Sequence, residues 1–123
     1  MHIRNPLAPR FALPGLSVVG LASPSRGARE NCAWRLTLAP GMVGATHAVD
    51  REEIFVAVGG RAVATVGDRT FTLESGDALI VPADHPFSLA NPNDEPFEAV
   101  AVLPVGGQAR YGDQPSFCPP WTE

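Results

Sequence analysis

Residues 41–60 read GMVGATHAVDREEIFVAVGG, and the placement of their charged residues decides the fold. In a strand, successive side chains alternate between faces. His47 and Val49 therefore share a face of one strand, and beyond the Asp50-Arg51 turn Glu53, Phe55 and Ala57 share a face of the next. A histidine and a carboxylate then look into one interior. An isolated buried charge is expensive, so the two are expected to pair, with the carboxylate raising the His47 pKa and fixing its tautomer.

Working outward, residues 61–66 and 69–73 flank Gly67-Asp68, a polar turn between two runs rich in β-branched and aromatic residues, which predicts a hairpin. Strands are also predicted over residues 17–21, 33–38, 78–81, 87–90 and 97–103, each bounded by Gly, Pro, Asn or Asp. Within 33–38, Trp34, Leu36 and Leu38 share a face, and Arg35 and Thr37 the other, with Arg35 read as solvated. No segment keeps a period of 3.6 residues, so the fold class is all-β, a double sheet of about eight short strands.

The spacing of Gly41, His47, Val49, Glu53 and Gly60 resembles the first motif of the cupin family, whose pattern carries His where Val49 stands. Residues 76–91, GDALIVPADHPFSLAN, resemble the second: Gly76, Pro82 and Asn91 are in register, Asp84 stands for a Gly and Phe87 for a His. The likeness covers roughly residues 35–103. It implies a small double-stranded β-helix, the jelly-roll cupin barrel, with a pocket between the sheets. The domain plan is an extended N-terminal arm over residues 1–16, the barrel over 17–103 and an irregular Pro-rich tail over 104–123 packed on the barrel.

The family's four metal ligands map onto His47, Val49, Glu53 and Phe87, and two of these cannot bind metal. A catalytic site commonly uses three protein ligands. If a metal is present, the set is His47, Glu53 and His85; Pro82-Ala83-Asp84 and Pro86 suggest that His85 sits at the rim. The expectation is no cofactor, the alternative a weakly bound divalent transition metal.

With Val49 and Phe87 replacing histidines, the pocket gains an apolar wall with Phe55 and Ala57. Such a wall suits a small organic ligand held by few polar groups. The functional expectation is a metal-independent isomerase, cyclase or lyase with His47 and Glu53 as catalytic residues. The ligand-binding residues are Val49, Phe55, Ala57, His85 and Phe87. The alternatives are a non-catalytic binding or sensor domain, and a metal-dependent oxygenase with a rearranged ligand set.

Composition sets the remaining bounds. A chain of 123 residues suits one domain with its own core, and a formal charge of −4 with no basic run argues against nucleic acid. No apolar run approaches the roughly 20 residues of a membrane helix, and the Pro-rich start lacks a secretory core, so the cytoplasm is the expected compartment. Cys32 and Cys118 are expected as reduced thiols. The apolar arm, with Pro6, Pro9 and Pro14, fits a homodimer of the kind cupins commonly form. Tyr111, Phe117 and Trp121 in the tail are expected to cover an exposed barrel face; the alternative is that Tyr111 or Trp121 helps close the mouth.

Overall fold

The computed structural model describes residues 1–123. Eleven strands run in the order β1 (Arg10–Leu13), β2 (Leu16–Ala22), β3 (Asn31–Leu38), β4 (Ala48–Val49), β5 (Glu53–Gly59), β6 (Arg61–Val66), β7 (Arg69–Glu74), β8 (Ala78–Val81), β9 (Phe87–Ala90), β10 (Phe97–Pro104) and β11 (Ala109–Arg110). Every strand pairing is antiparallel. A six-stranded sheet, β1-β2-β3-β10-β5-β8, faces a three-stranded one, β7-β6-β9, and the pair β11-β4 closes one end. This is the all-β double sheet expected from the alternation, in the jelly-roll form that the cupin resemblance implies. No helix is long and apolar enough to cross a membrane.

The alternation is visible strand by strand. On β3, Trp34, Leu36 and Leu38 are buried while Arg35 lies outside, in an ion pair with Glu98 of β10 at 2.9 Å. On β10, Phe97, Ala99, Ala101 and Leu103 are buried, and on β6 Ala62 and Ala64 are. Alanines on facing strands let the two sheets approach closely, while Phe55, Phe87 and Phe97 fill the space between them.

The motif positions have structural reasons. Gly60 has φ +71, and a Cβ there would run into the Pro96 carbonyl, so only glycine fits where β5 turns into β6. Asp84, standing where the family pattern has Gly, is the one non-glycine residue with positive φ, at 64°. Asp tolerates that conformation better than most residues. Asn91 is fully buried; its Nδ2 donates to Leu38 O at 3.1 Å and to Glu95 O at 2.8 Å, tying the end of β3 to the turn before β10.

Both ends of the chain depart from expectation. Residues 10–13 do not leave the barrel as an extended arm: they form β1, paired with the chain's own β2. The reason is the Pro14-Gly15 turn, in which Gly15 has φ +74 and lets Leu13 pair with Leu16. The tail is likewise not without regular structure. It adds β11 against β4, bridges Ala109 to Phe117, and ends in one helical turn at Pro120–Thr122. Cys32 and Cys118 are free thiols, and both contact Thr122, which anchors that turn.

Candidate functional site

The site is built where the first motif crosses the mouth of the barrel. His47 lies opposite Phe87: His47 N donates to Phe87 O at 3.0 Å, and Phe87 N donates to His47 O at 2.8 Å. This pairing sets the two rings 4.4 Å apart. Two residues on, Val49 pairs with Ala109, which brings the tail across the mouth. Tyr111 then stacks on His47, with centroids 5.1 Å apart, and Phe117 stacks on Tyr111 at 5.8 Å.

Glu53 begins β5 opposite Val81 and shares the interior face with Phe55 and Ala57, as parity requires. It is 4% exposed, and its Oε1 has no hydrogen-bond partner. Burial disfavours the charged form, and the Glu53 pKa is pushed up to about 8. At neutral pH the side chain is chiefly the uncharged acid.

His47 corrects the expected pairing. It makes neither a hydrogen bond nor an ion pair with Glu53; its Nδ1 is bonded to Ala45 O at 3.0 Å. A carbonyl can only accept, so Nδ1 carries the proton and Nε2 keeps its lone pair. Burial between Phe87 and Tyr111 lowers the His47 pKa, where an ionised neighbour would have raised it. The site therefore holds a neutral imidazole and a neutral carboxylic acid, not an ion pair. Tyr111 is also pushed up, by burial first and by Glu53 second.

Two cavities meet at these side chains. The inner one, about 150 Å³, runs between the sheets, and 13 of its 16 lining residues are hydrophobic, the others being Gly44, His47 and Glu53. The outer one, about 420 Å³, lies under the tail. Leu13, Trp34, His47, Glu53, Tyr111 and Trp121 line both. Phe55 and Phe87 wall the inner cavity and Val49 the outer one.

Two expected site residues lie elsewhere. Ala57 is buried in the core and reaches neither cavity. His85 is exposed, its Nδ1 donating to Ala83 O at 3.1 Å, in an outer depression that shares no residue with the two cavities. The turn at Asp84 swings it out before β9 begins. The residues present do not fit a metal: no three His, Cys, Asp or Glu side chains converge, and Val49 and Phe87 occupy the other two family ligand positions. Leu13, Leu16 and Trp34 were not foreseen as site residues. Pro14-Gly15 between apolar runs is the hairpin signal that brings Leu13 and Leu16 in.

Comparison with known proteins bears on the fold. The family model for the cupin domain matches residues 34–103, more than half of the chain. A search of curated proteins gave no match. Among solved structures, the polyketide cyclase RemF from Streptomyces resistomycificus superposes with a TM-score of 0.82 at 14% identity, covering 94% of this chain and 87% of that one. A predicted oxalate decarboxylase from Thermotoga maritima gives 0.71 at 20% identity, covering 85% and 98%. Salicylate 1,2-dioxygenase from Pseudoaminobacter salicylatoxidans gives 0.73 at 20%, covering 86% of this chain but 31% of that one. At these identities the likeness is one of fold. With two spaced motifs, a jelly roll in the expected register and a family match across its centre, the chain belongs to the cupin superfamily.

Proposed function

We propose that this cupin binds a small organic molecule and catalyses metal-independent proton transfer at a carbon beside a carbonyl, the step shared by isomerases, cyclases and lyases. One observation carries the reading: Glu53, buried and with Oε1 unpartnered, lies on the wall of an apolar cavity that His47 also lines. A buried polar atom without a partner is costly unless a ligand supplies one.

The roles follow from the protonation states. His47 Nε2 accepts a proton from the α-carbon, and the C–H electron pair becomes the C=C bond of an enol. Glu53 donates its proton to the carbonyl oxygen. The imidazolium and carboxylate so formed lie in one low-dielectric cavity, where their attraction offsets the developing charge. Return of the proton to another carbon gives isomerisation; attack of the enol carbon on a second carbonyl gives cyclisation. The fold shared with a polyketide cyclase is consistent with the latter.

The test is exchange of the α-hydrogens of benzylacetone in deuterium oxide, followed by NMR. The expected result is exchange well above the buffer rate, reduced about 100-fold or more in Glu53→Gln and in His47→Ala, as for other acid–base groups. Exchange indifferent to both substitutions would overturn the assignment. The absence of any His47–Glu53 bond favours a second reading, a binding domain without chemistry. In that case the same variants change affinity alone.

A further inference from the structure

The two cavities differ in size and wall yet share the reactive side chains as lining, and that arrangement describes a substrate. The inner chamber, about 150 Å³ with aliphatic and aromatic walls, matches the roughly 150 Å³ at which a dry protein cavity accepts one benzene ring. The outer chamber, about 420 Å³, is walled by Val49, Leu103 and Phe117 and capped by Pro119 and Pro120. His47 and Glu53 stand between them, lining both.

Charge adds a second restriction. All nine basic residues of the chain are arginines, and none lines either chamber. A carboxylate bound at the junction would lose its hydration and find no arginine or lysine to replace it. An uncharged ligand meets no such penalty.

We infer that the substrate is an uncharged carbonyl compound carrying apolar groups on both sides of the carbonyl, one no larger than a single aryl ring in the inner chamber and a bulkier one beneath the tail. The position of the carbonyl rests on the proton-transfer reading above. The chambers and their lack of cations do not depend on it.

The chain's two tryptophans, Trp34 and Trp121, line both chambers, so quenching of intrinsic fluorescence reports occupancy directly. Three probes at pH 7 separate the claims: benzylacetone, hydrocinnamate, which is the same skeleton with a carboxylate in place of the acetyl group, and dibenzyl ketone. Benzylacetone is expected to bind at least about tenfold more tightly than hydrocinnamate. Dibenzyl ketone is expected to gain about a further tenfold by filling the second chamber. Phe117→Ala, at a 41% exposed position on the outer wall, should reduce that gain. Equal binding of hydrocinnamate would overturn the uncharged-ligand claim. Dibenzyl ketone binding no tighter than benzylacetone would overturn the two-sided one, and no quenching by any probe would overturn both. A protein that binds the ketones as stated but leaves their α-hydrogens unexchanged keeps this inference and loses the catalytic reading.

Discussion

The imidazole of His47 lies against the phenol ring of Tyr111, with centroids 5.1 Å apart and planes inclined by 30°, while Phe87 lies 4.4 Å away. Two aromatic neighbours strip water from the ring, which is why its pKa falls. Tyr111→Ala readmits water and is expected to raise the His47 pKa toward the usual 6.5, whereas Tyr111→Phe, which keeps the stack, is expected to leave it low. Titration of the imidazole by NMR decides; an unchanged pKa in Tyr111→Ala would place the cause elsewhere in the pocket.

Glu53 makes stability depend on pH in a defined direction. Its pKa is about 8 folded against 4.5 as the reference, so between these values the folded state holds the proton more tightly than the unfolded one. The stabilisation is complete below pH 4.5 and is lost as pH rises toward 8, by an amount on the order of a few kcal/mol. His47 acts oppositely: its lowered pKa contributes stability above the unfolded value that is lost as pH falls toward the folded one. Glu53→Gln removes only the alkaline loss. The difference in melting temperature, variant minus parent, should therefore grow between pH 5 and pH 8.5; a constant difference would mean that Glu53 is not buried as the acid.

The alternating faces of β3 and β5 were legible because burial on one side imposes a period of two that a single sequence displays, whereas the barrel topology came only with the cupin resemblance. Glu53, Phe55, Phe87 and Val49 fell on the interior for that reason. The sign of the His47 shift was not legible, since it depends on whether the imidazole meets the carboxyl or two aromatic rings, one of them from the distant tail. His85 shares the parity of Phe87, but its direction is set by the positive φ of Asp84, a conformation that Asp only permits. Tyr111 and Trp121 appeared as aromatics in an irregular tail; the pairing of Ala109 with Val49 that carries the tail across the mouth spans two residues and leaves no periodic trace.

Gly60 offers a test of the fold independent of the site. Ala at this position meets both a left-handed backbone and a collision with the Pro96 carbonyl, which belongs to a backbone that cannot move aside. Gly67 has φ +60 and open space for 4 Å around the point where a methyl group would stand, so Ala there meets the backbone cost alone. Gly67→Ala is expected to cost about 1–2 kcal/mol in stability, read from the denaturant midpoint, and Gly60→Ala clearly more. Equal losses would mean that the turn between β5 and β6 relaxes freely.

The replacement of histidine by Phe87 is reversible in principle, and reversal tests why the parent site does not suit a metal. Phe87 pairs with His47 across the backbone and is 2% exposed, so a shorter imidazole fits its space, and its ring already lies 4.4 Å from that of His47. Phe87→His would bring a third potential ligand beside His47 and Glu53, the two-histidine, one-carboxylate set that suits divalent transition metals. Binding would also require Glu53 to ionise, which a nearby dication favours. The parent is expected to retain little zinc or nickel after dialysis against a chelator. The variant is expected to bind at least about 100-fold more tightly, read by calorimetry and by the rise in melting temperature on adding metal. If the parent already holds stoichiometric metal, His47 and Glu53 have a third partner that the fold does not bring to them. If the variant gains nothing, the histidine missing at Phe87 is not what separates this pocket from a metal site.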